Sequence, residues 1–437
     1  MLCSLGKEER KMKKFALLVL AGLLTVAFTA PAPAMEYEFG GYWRTRGYRN
    51  WNFTGNDFPS TEQNRHPDKN ITWIDTRTRL YFTAVVNDNL KFVNKFEMDA
   101  VWGNDSSYGD IGADGVNFEI KNSYADFTVG CVNTKVGVQG GKFGRGFLFD
   151  DDFAGLRLSY EGESVSLPLT WMRAFDKDDS IKSWDKSRDV DYFAFSPSIR
   201  AGDSLTINPF GMYVFSNNAS GWKPTEKYDN MEMFYAGLNL DADMGPLSIW
   251  ATGIYQGGSV DLRADTSMSE DFKAWLGAAG MGVNVGVADL HGQFFYATGQ
   301  DPEDEDNTKF WVPAGQSYYW SEIMGKGIFD EQVSDGSPGD KIGNIMAANL
   351  GTTIKPTERL EIALDGWYAK LAEEVTEGAE EGEDELGIEA NLRLTYTVIK
   401  GLKLDLVGAY LWAGEAIYKG TDEADPYEVG TRLSLSF

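Results

Sequence analysis

Residues 385–398 read ELGIEANLRLTYTV. Leu386, Ile388, Ala390, Leu392, Leu394, Tyr396 and Val398 share one parity; Gly387, Glu389, Asn391, Arg393, Thr395 and Thr397 share the other. Successive side chains of a strand point to opposite faces, so the stretch is a strand with one apolar and one polar face. The chain ends on the same pattern. Tyr427, Val429, Thr431, Leu433, Leu435 and Phe437 alternate with Glu428, Gly430, Arg432, Ser434 and Ser436. Residues 90–102 set Phe92, Phe96, Met98 and Trp102 against Lys91, Lys95, Glu97 and Asp99.

Eighteen such segments recur: 36–48, 73–86, 90–102, 116–128, 134–143, 154–160, 164–175, 189–200, 204–215, 231–240, 246–256, 272–285, 290–299, 342–354, 360–370, 385–398, 402–412 and 426–437. The glycine-rich stretch 134–160 leaves sixteen as the alternative count. Short connections at 87–89, 161–163, 201–203, 241–245 and 399–401 alternate with long ones at 49–72, 103–115, 144–153, 176–188, 216–230, 257–271, 300–341, 371–384 and 413–425. A soluble sandwich has no reason to keep that parity. A closed sheet across a bilayer does, because its two rims face different compartments. Segments that precede long connections tend to end on an aromatic of the apolar phase: Trp43, Trp102, Trp171, Tyr213, Tyr255, Tyr296, Tyr368, Tyr410 and Trp412. Tyr160, Tyr396 and Phe437 mark the other rim. Rings of this kind sit well at a lipid–water boundary. In hydrocarbon every backbone N–H and C=O must be paired, so a chain without apolar helices crosses only as a closed sheet. The expected fold is all-β, a transmembrane antiparallel barrel over 35–437, with short turns at one rim and long loops at the other.

Composition agrees. Of 437 residues 43% are hydrophobic, 14% aromatic and 24% charged, which excludes both disorder and a bundle of membrane helices. Asp and Glu number 66 against 40 Lys and Arg, so a nucleic-acid partner is not expected. Two Cys and two His exclude a zinc framework or a disulfide scaffold, and no cofactor is expected. Residues 1–34 read as a secretory leader. Lys13 and Lys14 precede the apolar run 15–29, which is shorter than the roughly 20 residues of a spanning helix, and Ala32-Pro33-Ala34 supplies a cleavage signal. Met12 is the expected start and Ala34 the last residue removed.

With these segments in view, the chain resembles a Gram-negative outer-membrane porin. The resemblance covers the chain from residue 35 onward as architecture. Its specific residues are the opening Phe39-Gly40-Gly41-x-x-Arg44-x-Arg46 and the terminal strand 427–437 ending in Phe437. It implies a passive channel, often a homotrimer, placed in the outer membrane with both termini periplasmic, short periplasmic turns and long extracellular loops. Lipid and lipopolysaccharide surround such a barrel, and the barrel-assembly machinery reads the terminal Phe. Eighteen strands resemble the sugar-specific porins, the alginate exporters and the basic-amino-acid porins; the general diffusion porins have sixteen.

The polar phase near the seam is rich in base. Arg44 and Arg46, then Asp75, Arg77 and Arg79, then Lys95, Glu97 and Asp99, and finally Arg393 and Arg432 are expected to line the lumen. An Arg facing lipid at mid-depth costs about 2–4 kcal/mol, which argues for the inward side. Such a wall either attracts anionic or zwitterionic small hydrophilic solutes or braces itself by internal pairing. Two segments are candidate constrictions. One is 140–152 (GGKFGRGFLFDDD), with Lys142, Arg145, Asp150, Asp151 and Asp152; it is the third long connection, through which porins commonly narrow. The other is 300–341, with Trp320 and Glu322 in a stretch, 318–324, read as a short helix. The acidic runs 301–306 and 373–385 read as solvated loop tips or as cation bridges to lipopolysaccharide, without calcium-loop spacing. No catalytic residue is expected. His66 sits in a polar turn, His291 has no local nucleophile and no Gly-x-Ser-x-Gly occurs. A polysaccharide exporter, a barrel sheathing a partner protein and, more remotely, a hydrolase are the rival readings.

Overall fold

A computed structural model describes residues 35–53, 71–104, 109–112, 117–175, 190–216, 228–262, 269–301, 303–330, 342–374, 382–417 and 425–437. The leader 1–34, His66 and most of the acidic run 373–385 lie outside the described residues.

Nineteen strand segments form one sheet. They are β1 (Glu36–Trp51), β2 (Thr72–Asn87), β3 (Leu90–Val101), β4 (Asn117–Val129), β5 (Val132–Phe143), β6 (Phe149–Glu161), β7 (Val165–Phe175), β8 (Val190–Phe195), β9 (Ser198–Ala201), β10 (Leu205–Ser216), β11 (Tyr228–Met244), β12 (Leu247–Leu262), β13 (Ser269–Asn284), β14 (Ala288–Ala297), β15 (Ile345–Thr357), β16 (Leu360–Lys370), β17 (Glu385–Ile399), β18 (Leu402–Ala413) and β19 (Tyr427–Ser436). Each pairs antiparallel with its neighbours, and β19 closes on β1 in the register Arg44↔Ser434 and Arg46↔Arg432. The seam continues past the last strand, where Gly41 and Phe437 exchange backbone hydrogen bonds of 2.9 and 3.2 Å.

β8 and β9 both lie between β7 and β10, end to end. The single segment expected over 189–200 is therefore broken at Ser196-Pro197. Pro197 has no N–H to give the ladder. The Asn208 side chain donates to the carbonyls of Ser196 and Pro197 that the break leaves free. The barrel thus has eighteen staves.

The expected phase holds along β14 to β17. Phe294, Leu350, Leu364 and Leu392 are exposed on the outer face. Gln293, Asn349, Asp365 and Asn391 turn inward, and Gln293↔Asn349 and Asp365↔Asn391 are register partners. Four local expectations fail for identifiable reasons. β1 runs to Trp51, so Trp43 is mid-strand; the ring at that rim is Trp51, stacked on Tyr427 at 4.5 Å. β6 begins at Phe149, so Asp150, Asp151 and Asp152 are strand and not loop. Leu386 does not share the face of Ile388. Gly387, at φ +116°, bulges the ladder and turns Leu386 into the buried interior. Residues 318–324 form no helix.

The interior is not uniformly wet. Met212 and Val214 on β10, Met231, Met233 and Tyr235 on β11, Ile254 on β12, Leu276 on β13 and Phe295 on β14 belong to one buried apolar cluster. Each such side chain, fully buried, is worth about 1.5–3 kcal/mol. On these staves both faces are apolar, and the inner one is covered by two segments of the same chain.

Candidate functional site

The first covering segment is the end of the β5–β6 hairpin. β4 pairs with β5 only up to Val138, and β7 pairs with β6 only from Ala154. Residues 139–143 and 149–153 pair with each other alone. The reversal at Gly144–Gly146 holds all three residues at positive φ, including Arg145 at +59°. The tip crosses the bore. Arg145 bonds Asp241 of β11 at 2.8 Å and Thr252 of β12 at 3.1 Å, and lies 4.6 Å over the Trp250 ring. Phe147 contacts Phe295 on β14, and Phe149 meets Tyr192 on β8 edge to face. Strand alternation splits the hairpin. Phe143, Phe149 and Phe153 enter the apolar cluster. Asp150 and Asp152 take the other face, Asp150 paired with Lys142 at 2.7 Å. Asp152 accepts a bond from Asn122 at 3.3 Å, lies 3.7 Å from Lys121 and feels the charges of Lys95 and Arg79. Asp151 is exposed and accepts the Asp152 N–H at 2.7 Å.

The second is a strap, residues 310–330, that follows the inside of the wall. Phe310 packs on Tyr235, and the Trp311 N–H donates to Gln256 at 2.8 Å. Asp150 N–H donates to the Gly315 carbonyl at 2.8 Å, tying strap to hairpin. Tyr318 stacks on Phe147 at 3.9 Å and donates to Gln293 at 2.9 Å. Burial pushes its phenol up to about 12. Trp320 meets Phe295 and Trp367 edge-on. Glu389 on β17 then accepts the N–H groups of residues 322, 323 and 324. Those groups are committed to a carboxylate and not to carbonyls four residues back, which is why no helix forms here. The strap reaches β1, where Asp330 pairs with Arg46 at 2.7 Å and Arg44 at 3.3 Å.

Most of the basic wall is paired. Arg46 also bonds Asp75 at 2.7 Å. Arg77 forks onto Asp99 at 2.7 and 2.6 Å and reaches Glu97 at 3.1 Å; Arg79 bonds the same Glu97. Arg432 bonds Asp405 at 2.9 Å. Among the described residues, Lys95 and Arg393 make no ion pair.

Between strap and wall lies a cavity of about 500 Å³. Its wall carries His291, Gln293, Asn349, Asp365, Arg393 and Arg432, and the strap adds Trp320 and Glu322. It sits on the short-turn side: His291 is three residues into β14, and Arg432 four from the end of β19. Asp365 Oδ1 is shared by His291 Nε2 at 2.8 Å and Asn349 Nδ2 at 3.1 Å. Burial raises the Glu322 carboxyl above the ordinary range, opposed by the Ile328 N–H and by Arg393 and Arg432. The structure therefore brings Arg393, Arg432, Trp320 and Glu322 into one chamber. It sets Arg79, Lys95, Lys142, Asp150 and Asp152 around the hairpin's polar face, Arg79 also holding Glu97, while Arg77 and Asp99 pair with each other on the wall. Arg44, Arg46 and Asp75 are drawn into the Asp330 contact, and Arg145 anchors the tip. Phe437 lies at the seam, exposed.

Sequence reading missed Asp330, Glu389 and the His291–Asp365 pair. Glu389 does fall in the polar phase of 385–398, but nothing in that phase names its partner.

No family profile and no curated protein matches the chain by sequence. Solved structures match in shape. The outer membrane protein OpdK of Pseudomonas aeruginosa superposes with TM-score 0.57 at 12% identity, over 92% of this chain and 98% of that one. OccK2 (OpdF) of Pseudomonas aeruginosa gives 0.58 at 12% identity, with coverage of 92% and 98%. OccAB1 of Acinetobacter baumannii gives 0.58 at 12%, with 92% and 96%. At these identities the likeness is one of fold: a closed antiparallel barrel of the same extent.

Proposed function

We propose that the protein is a channel of the Gram-negative outer membrane through which small hydrophilic solutes diffuse passively. One observation carries this reading. The chain closes a barrel with an apolar outside, then folds two of its own segments into the bore and leaves a cavity lined by charged side chains beside the strap. Narrowing without filling is what a selective pore needs. Rim aromatics such as Trp51, Tyr410 and Trp412 favour a bilayer setting, and the similar structures include an outer membrane protein. Residues 1–34 are then a leader removed after Ala34. The short turns and both ends of the mature chain face the periplasm, and Phe437 is the signal to the assembly machinery. Lipopolysaccharide surrounds the outer rim, and a homotrimer is the expected assembly.

Anionic or zwitterionic solutes are favoured. The uncommitted cations Lys95 and Arg393 support this, since a charge already bonded to a neighbour attracts less. OpdK has been crystallised with vanillate, an aromatic carboxylate, which makes that compound a useful blocker to try. An exporter needs an unbroken basic track, and the pairing of Arg46, Arg77, Arg79 and Arg432 interrupts one. A sheath needs an open bore, which hairpin and strap occupy. For hydrolysis, Ser321 shares the chamber with His291 and Asp365, but no hydrogen bond joins it to the imidazole among the described residues.

In planar bilayers the purified, assembled protein should give discrete conductance steps, with a reversal potential in a salt gradient displaced toward anions. A correctly folded preparation that gives no steps ends the channel reading.

A further inference from the structure

One turn of the strap hangs on one buried carboxylate. Glu389 is fully buried on the inner face of β17. Its Oε1 accepts the N–H groups of Glu322 and Ile323 at 2.8 and 2.9 Å, and its Oε2 accepts that of Met324 at 2.9 Å. Three N–H groups converge on this one side chain, and a dry setting strengthens each of those bonds. Those three residues directly follow Trp320 and Ser321, so the carboxylate decides where Trp320 and Glu322 stand. These two close the chamber on the strap side. Beyond them the backbone turns through Lys326 and Gly327, at φ +74° and +40°, before Asp330 makes the next anchor on Arg44 and Arg46.

We infer that Glu389 is a positioning residue that pins the strap to the inner wall at β17 and thereby sets the channel's conductance. The inference rests on the channel reading above. Without the carboxylate, three successive N–H groups lose their acceptor. Where the volume stays filled, as with glutamine, water can satisfy them only if the turn moves away from β17. The aromatic edges around Trp320 do not replace those bonds, and the chamber then opens toward the hairpin. Glutamine tests this without changing volume. It keeps one acceptor oxygen and puts an NH₂ donor where the other stood, so at least one strap N–H meets a donor in place of an acceptor.

The test compares full-length wild type with Glu389→Gln, Glu389→Ala and Glu389→Asp. Single-channel conductance in planar bilayers is measured together with tryptic cleavage after Lys326 in detergent. Gln and Ala should raise the conductance step about twofold and expose Lys326 to trypsin, while the unheated gel mobility of a folded barrel is kept. Asp, one methylene short, should fall between. Equal conductance with Lys326 still protected in a folded Glu389→Gln barrel overturns the inference. If Ala does not assemble, the isosteric Gln variant decides. If wild type itself does not conduct, the channel reading fails, and the trypsin pattern still decides whether Glu389 holds the strap.

Discussion

The two sides of the bore are built on opposite principles. On the long-loop half of β7 to β14 the inner face is mainly apolar, with a few polar side chains such as Gln256 bonded into it, and the hairpin's phenylalanines and the strap seal it, as in the core of a soluble protein. From β15 round to β4 the inner face carries most of the charged groups, with apolar side chains such as Trp367 and Leu411 among them, and is only partly covered. A barrel wall can be stiffened either way, but the charged side leaves room for water. On the channel reading, narrowness comes from filling one part of the lumen, and selectivity from what is left uncommitted in the other.

The sharpest way to break that contrast is to put a charge on the dry side. Met233 is 1% exposed among aromatic and aliphatic neighbours. Met233→Lys should destabilise the barrel by about 3–5 kcal/mol, the usual cost of an unpaired buried charge, read as a lowered unfolding midpoint in detergent. A variant as stable as wild type means that water reaches this face, and the contrast between halves fails.

Within the charged half, paired and unpaired cations should part company. Arg77→Gln removes a two-pronged bond to Asp99 and a contact with Glu97. It should cost about 1–3 kcal/mol. Lys95→Gln and Arg393→Gln should change stability by no more than about 0.5 kcal/mol, yet shift the reversal potential further toward cations than Arg77→Gln does. A larger selectivity shift from Arg77 shows that pairing does not silence a wall charge.

The outer face was legible in the sequence, because a period of two against lipid leaves no alternative phase: Leu392 and Leu433 cannot turn inward without carrying Arg393 and Arg432 into hydrocarbon. The inner face was less so. On β10 and β11 both parities are apolar, and periodicity cannot say that Met231 and Met233 meet other protein in place of lipid. The hairpin was visible in part through the glycines at 140–146. But Phe149 to Phe153 read as loop because the three aspartates mask their alternation. The partners of Glu389 and Asp330 were invisible, since a strap that forms no regular element leaves no period to read.

The smallest expected effect lies where the halves meet, at Glu322. Its carboxyl is held above the ordinary range, chiefly by burial between strap and wall. The folded state therefore binds this proton more tightly than the unfolded chain. An acid raised in this way adds stability that is full below its unfolded value, near 4.5, and is lost as pH climbs through the folded value. Strap docking should tighten on acidification from neutral pH toward that value, seen as slower tryptic cleavage after Lys326 and a slightly higher midpoint. Glu322→Gln keeps the volume and removes the titration, so the wild-type pH slope minus the variant slope isolates this group. A difference of zero means that Glu322 is effectively solvated, and places it on the wet side of the boundary; a difference of opposite sign means that Arg393 and Arg432 outweigh burial there.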